Sequence, residues 1–328
     1  MKILFYNHTG QVSGAERVLL LVLARINTSR FAPLVICPAA GPLKKRVNDL
    51  GVPCADVKDL QARFTWRVDR LVGYLGSFWR LVRQVRQQAI TVDPDLIHAN
   101  SVRAGLVATA ATIGLGVPVV WQVHDMLPRH PLSTAIRLVV RCSRRTRVIA
   151  VSNAVASRFH GAVKVILNAV DLEEFHPDAA SRIKARENLA LSPVDQVIGI
   201  VGQITPRKGQ LQLIEAFALV LKQIPQAILM VVGAPLFNRD EEYLSRLNQT
   251  AAKLGIAGRV RFLGAPGDIA AITRATDLLV VNSLVEPFGL VVLEGMACGT
   301  PVLAVAVDGI PEIIKHRRDG WLVPARDQ

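Results

Sequence analysis

DLLVVNSLVEPFGLVVLEGMACGTPVLAVA, residues 277–306, holds a strand, a loop, a helix and a second strand in one short stretch. DLLVVNS (277–283) and PVLAVA (301–306) are brief apolar runs, the form taken by strands buried on both faces. Between them lies EPFGLVVLE (286–294), where Pro and Gly precede a helix that opens at about Leu290. Glu286 stands in the loop beside that helix start, and Glu294 on the helix's first turns. A helix start offers unpaired amides and the positive end of the dipole, which favour a diphosphate. Two carboxylates can accept hydrogen bonds from several hydroxyls. The combination suits a sugar nucleotide.

Outward from this stretch the same alternation repeats. ILFYN (3–7), PLVICP (33–38), DLIHAN (95–100), PVVWQVHD (118–125) and RVIAVS (147–152) are strand-like, with helical periodicity over 15–26 and 101–113. A second series comprises QVIGIVG (196–202), AILMVVG (227–233) and RVRFLG (259–264). The pattern predicts an α/β protein of two Rossmann-like, doubly wound parallel-sheet domains facing a cleft at the carboxyl ends of their strands. With 328 residues, 51% of them hydrophobic, the chain can bury two cores of roughly 150 residues each. The boundaries read as a first domain over 1–167, a more polar linker and lead-in over 168–192, and a second domain over 193–328.

Several further segments carry a resemblance in fixed order. They are VSGAERVLLLVLARI (12–26), QVHD (122–125), NAVDLEEFHP (168–177), GQITPRKG (202–209), ATDLLVVNS (275–283), ACGTPVLA (297–304) and DGIPEII (308–314). Together with EPFGLVVLE they resemble the retaining glycosyltransferases of family 4, which have the two-domain GT-B fold. The resemblance implies transfer of a sugar from a nucleotide-sugar donor, such as a UDP- or GDP-sugar, to an acceptor hydroxyl without a metal or other cofactor. It implies acceptor binding by the first domain and donor binding by the second. The acceptor class it suggests is a glycan or a lipid-linked glycan in cell-surface polysaccharide or glycolipid synthesis.

The resemblance also suggests roles for individual residues. Glu286 contacts the hydroxyls of the donor sugar, and Glu294 the ribose. Lys208, after a turn containing Gly202, places a cation where charge grows as the diphosphate leaves. Phe288, Gly289 and Leu290 lend backbone amides, Gly289 by permitting close approach. Ser283 either bonds the donor or caps its turn. His124, at the carboxyl end of its strand and followed by Asp125, positions the sugar. Gly14 opens a helix toward the donor phosphates, and Glu16 reads as a helix-start carboxylate. The family usually has Arg where this chain has Gln203, and Arg207 is the candidate replacement. Family members also usually continue through further helices beyond LVPARDQ, so the second domain is expected to lack its last helices.

Charge is uneven. Residues 1–165 carry 23 Lys and Arg against 8 Asp and Glu, and the remainder 16 against 18. Within the first half, Arg67–Arg86 sets Leu71, Tyr74, Leu75, Phe78, Leu81, Val82 and Val85 on one helical face, with Arg80 and Arg83 opposite and Trp79 and Arg86 at the margin. This is either an ordinary surface helix or a contact with an anionic membrane surface. Nucleic acid is set aside as a partner, because aromatics are only 5% and no nucleic-acid module is present. Cys37, Cys54, Cys142 and Cys298 lack metal-ligand spacing and read as reduced thiols in or near cores. No apolar run long enough to span a membrane occurs, and the start reads as a strand, not a signal peptide. The expected location is cytoplasmic, or peripheral on the inner face of the cell membrane. Two alternatives stay open. One is a catalytically silent GT-B binding or scaffold protein. The other is a sugar-nucleotide epimerase or phosphorylase on the same fold, the phosphorylase requiring pyridoxal phosphate or a phosphate-binding set.

Overall fold

Branched side chains crowd the apolar runs, and Gly, Asn or Pro punctuates them, so the backbone extends into strands. In the computed structural model, which describes residues 1–59, 68–159, 163–236 and 238–325, the chain falls into two units, Met1–Asn168 and Ala169–Gln328.

The first unit runs β1 (Lys2–Tyr6), α1 (Gly14–Arg25), β2 (Ala32–Pro38), α2 (Leu43–Asp49), β3 (Cys54–Val57), α3 (Val68–Val92), β4 (Leu96–Ala99), α4 (Val102–Ala111), β5 (Val119–Val123), α5 (Pro131–Cys142), β6 (Thr146–Ala150), α6 (Asn153–Ala156) and β7 (Val163–Val165). Its strands form one sheet in the order β3-β2-β1-β4-β5-β6-β7. Chain order reverses between β1 and β4, which pair in parallel from Ile3 with Leu96 to Tyr6 with Ala99. Such a reversal sends the connections to opposite faces and opens a crevice beyond the strand carboxyl ends. Ile3, Phe5, Leu19, Leu23, Val35 and Leu43 pack one side of this sheet, each worth roughly 1.5–3 kcal/mol on burial.

Part of the sequence reading of α3 is corrected here. Leu81, Val82, Val85 and Ala89 are buried, but Leu75, placed on the same apolar face, is 55% exposed, near Trp79 at 57%. Among the described residues nothing lies within 4 Å of where a Cβ would stand on Gly73 or Gly76. Arg67 and the Leu71 side chain lie outside the described residues.

The second unit runs α7 (Ala179–Asn188), β8 (Gln196–Val201), α8 (Gln210–Val220), β9 (Ala227–Val232), α9 (Asn238–Lys253), β10 (Val260–Gly264), α10 (Ile269–Ala275), β11 (Leu278–Val281), α11 (Leu290–Ala297), β12 (Val302–Val305) and β13 (Trp321–Val323). The sheet order is β10-β9-β8-β11-β12-β13, and here the reversal lies between β8 and β11. Ile214, Phe217, Leu229, Val231 and Leu247 pack one face. The polar stretch 168–192 holds α7, which Asp277 anchors. Arg182 and Arg186 both pair with that carboxylate, Arg186 at 3.2 Å, and the Val197 amide donates to it at 2.7 Å.

Three short strands, β3, β7 and β13, were not expected from the sequence. Among the described residues no helix is long and apolar enough to cross a membrane. Cys142 is exposed, against the expectation that every cysteine sits in or near a core, because it ends α5. Cys37 and Cys54 meet across β2 and β3 with their sulfurs 3.5 Å apart.

Candidate active site

Beyond several strand ends the next residue is polar. These are Asn7 after β1, Asn100 after β4, His124 after β5 and Asn282 after β11. In each unit the connecting loops lie beyond these strand ends, where open parallel sheets place their sites.

In the second unit, β8 ends at Val201 and Gly202 turns the chain with φ +149°. A tight 3-10 turn over Pro206–Lys208 follows, closed by Gly209 at φ +71°. This turn delivers Lys208 to the loop after β11. Its Nζ lies 2.6 Å from Glu286 Oε2, with both side chains mostly buried, at 17% and 12% exposure. Ser283 Oγ donates to the same oxygen at 2.9 Å, and the Glu286 amide donates to Asp308 Oδ2 at 3.0 Å. Lys208, Ser283 and Glu286 are therefore one cluster, and Ser283 serves the carboxylate directly.

The two loops are stitched together. Asn282 Nδ2 donates to the Gly209 carbonyl at 2.9 Å, and the Leu284 amide donates to the Arg207 carbonyl at 2.8 Å. A Cβ on Gly209 would stand 2.0 Å from the Asn282 carbonyl oxygen. Arg207 is exposed. Gln203, in the place where the resemblance implies Arg, donates from Nε2 to Asp240 Oδ2 at 3.0 Å.

The loop then enters α11 at Leu290. Phe288 and Glu294 are buried. Gly289 has φ +108° and no side chain caps the helix, whose first turn contains no acidic residue. A Cβ on Gly289 would meet protein atoms only at ordinary distances of 3.4–3.6 Å, so it is the left-handed backbone, not crowding by protein atoms, that requires glycine here. Uncapped amides at a helix start are anion donors.

In the first unit, Gly14 is the first residue of α1 and is exposed. Glu16 turns back to cap that helix, accepting from Ser13 N at 3.0 Å and Ser13 Oγ at 2.6 Å, as its helix-start reading implied. His124 Nε2 lies 3.1 Å from Asn100 Oδ1. Burial, and secondarily His98, push the His124 imidazole down to about 3, so the ring is neutral near pH 7. His8 is likewise pushed down to about 3, by burial and then Arg103; its Nδ1 lies 2.9 Å from Ser101 Oγ.

The model for glycosyl transferases group 1 matches residues 181–328, and that for Glycosyltransferase Family 4 matches 12–174. HepE of Anabaena, solved in complex with UDP-glucose, is 32% identical with a TM-score of 0.83, over 99% of this chain and 85% of that one. The chain belongs to glycosyltransferase family 4. Its two parallel-sheet units are those of the GT-B fold. Sucrose-phosphate synthase of Thermosynechococcus elongatus shares that fold, with a TM-score of 0.77 at 23% identity over 100% of this chain and 86% of that one. D-inositol 3-phosphate glycosyltransferase of Mycobacterium marinum is 33% identical over 261 residues, which is 71% of this chain and 53% of that protein. The chain thus spans about half the length of the curated relatives it matches.

Sequence reasoning about this family 4 chain missed Asn7, Asn100, Asn282, Asp308 and His8. For the three asparagines the available signal was their place at or next to the end of a strand run, in ILFYN, DLIHAN and DLLVVNS.

Proposed function

We propose that this protein transfers a sugar from a nucleotide-sugar donor to an acceptor hydroxyl with retention of configuration and without a metal. The observation that carries this reading is the Lys208–Ser283–Glu286 cluster beside the uncapped start of α11, at the chain reversal of the second unit. A cation and helix amides suit a leaving diphosphate, and a neighbouring carboxylate suits sugar hydroxyls. HepE, bound to UDP-glucose, supports the donor class.

In this mechanism the anomeric carbon–oxygen bond to the diphosphate breaks while Lys208 and the amides of Phe288, Gly289 and Leu290 offset the charge on the leaving oxygen. The acceptor oxygen bonds to the same face of the anomeric carbon, and its proton passes to the departing phosphate oxygen. Glu286 and His124 hold sugar hydroxyls, Glu294 the ribose, and Gly14 and Gly202 let backbone lie close to the donor. The protein supplies position and field, with no covalent intermediate. The acceptor is a glycan or lipid-linked glycan of cell-surface polysaccharide or glycolipid, reached by a protein peripheral on an anionic membrane. Support for the membrane part is the basic first unit and the exposed Leu75 and Trp79 of α3.

The test is calorimetry against UDP-, GDP- and ADP-sugars, with release of nucleoside diphosphate, for the wild type and Glu286→Ala. Saturable binding of one donor, with turnover lost in the variant, supports the reading. Absence of binding to any donor favours the second reading, a silent GT-B scaffold, which draws on Gln203 being paired with Asp240 where the family usually has a cation. Co-sedimentation with liposomes that ignores anionic lipid content would sink the membrane part.

A further inference from the structure

Three buried polar side chains of the first unit, Glu16, Asn7 and Asn100, form a line with a single sense. Asn7 Nδ2 donates to the Thr9 carbonyl at 2.6 Å and to Glu16 Oε1 at 3.2 Å, which leaves Asn7 Oδ1 as an acceptor. Asn100 Nδ2 donates to that oxygen at 3.0 Å and to the Ala15 carbonyl at 3.2 Å. Turning either amide over would set its oxygen against a carbonyl or carboxylate oxygen, so both orientations are fixed by their surroundings. The start of the line is itself held, because Glu16 is the capping carboxylate of α1. Asn7 and Asn100 are fully buried and Glu16 nearly so, where a mismatched polar group costs most. What Asn100 turns toward His124 is therefore Oδ1, which can only accept, at 3.1 Å from Nε2.

We propose that Glu16, Asn7 and Asn100 act as positioning residues that hold His124 as its Nε2–H tautomer, leaving Nδ1 as a bare acceptor for a substrate hydroxyl. The tautomer follows from the hydrogen bonds alone, while the role given to Nδ1 rests on the glycosyl-transfer reading. A ring with one proton, committed to Asn100, has an acceptor on its other nitrogen. Burial keeps the ring in that neutral state, and among the described residues Nδ1 has no protein partner. His124 then meets the donor or acceptor sugar as a hydrogen-bond acceptor, not as an acid. The carboxylate that caps α1 sets the end of the line, so a substitution at Glu16 would reach the chemistry through two amides without touching substrate.

The test is long-range proton–nitrogen correlation spectroscopy on the whole chain with labelled histidine at pH 7, using His124→Gln to assign the signals. The expected spectrum has a protonated Nε2 and an unprotonated Nδ1 on His124. In Asn100→Ala both nitrogens should average, with kcat/KM for transfer falling about tenfold, the size typical of losing a group that orients a histidine. An Nδ1–H signal or a mixture in the wild type overturns the proposal, and so does an unchanged tautomer in Asn100→Ala. The wild-type spectrum decides even if Asn100→Ala does not fold. A chain with the Nε2–H signature but no sugar transfer supports the line and counts against the transfer reading. An active chain with the Nδ1–H form does the reverse.

Discussion

Lys208 and Glu286 illustrate how little slack the site has at the scale of single residues. Two mostly buried opposite charges at 2.6 Å stabilise each other only as a pair, since removing one leaves the other desolvated and uncompensated. Lys208→Met should therefore destabilise the second unit by about 2 kcal/mol, and Lys208→Met with Glu286→Leu should recover much of that loss. Urea unfolding of the two single variants and the double variant measures the coupling. Strict additivity would show that the pair does not interact in solution. Lys208 and Glu286 were legible in the sequence because Gly, Pro and charge cluster around them. Their direct contact was not, because it joins residues 78 positions apart through sheet order that no local pattern encodes.

For the elements, legibility followed length and periodicity. The core strands β1, β5, β8 and β9 declared themselves as apolar runs. β3 (CADV) and β7 (VKV) have a charge inside very short runs, and β13 is only WLV, so each depends on a neighbouring strand for definition. Helix α7 was obscured by its polar composition; its place is fixed by Arg182 and Arg186 meeting Asp277, contacts with no local signature. Turn glycines offer a quantitative check. Gly51 and Gly209 share left-handed φ values of +72° and +71°, but a Cβ on Gly51 meets nothing within 4 Å whereas one on Gly209 meets backbone. Gly51→Ala should cost about 1 kcal/mol, the conformational part alone. Gly209→Ala should cost at least about 2 kcal/mol more, from backbone displacement. Equal losses in denaturant midpoints would contradict the close approach at Gly209.

Across the whole molecule, pH should act unevenly. His8 and His124 are pushed down to about 3 in the fold, and His98 is lowered too, burial being the leading cause in each case. Their unfolded forms take up protons near pH 6.5, so between about pH 6.5 and 3 the unfolded state binds more protons than the native one. Their contribution to stability is intact above pH 6.5 and falls as pH drops, by up to about 1.4 kcal/mol per pH unit for each histidine. All three lie in the first unit. Urea unfolding at pH 7 and pH 5, resolved by hydrogen exchange, should show protection lost first from residues 1–168. A stability flat across that range would refute the buried, neutral state of these rings.

The stitched loops of the second unit have a consequence for how a family can diversify. With Asn282 bonded to Gly209, Leu284 to Arg207 and no room for a methyl group between them, the path of one loop dictates the path of the other. A lengthened or shortened loop on one side would need a matching change on the other in the same generation. New donor preferences in descendants of this sequence should therefore arise from side chains that project from the joined loops, and sequence drift should be slowest at the backbone positions that join them.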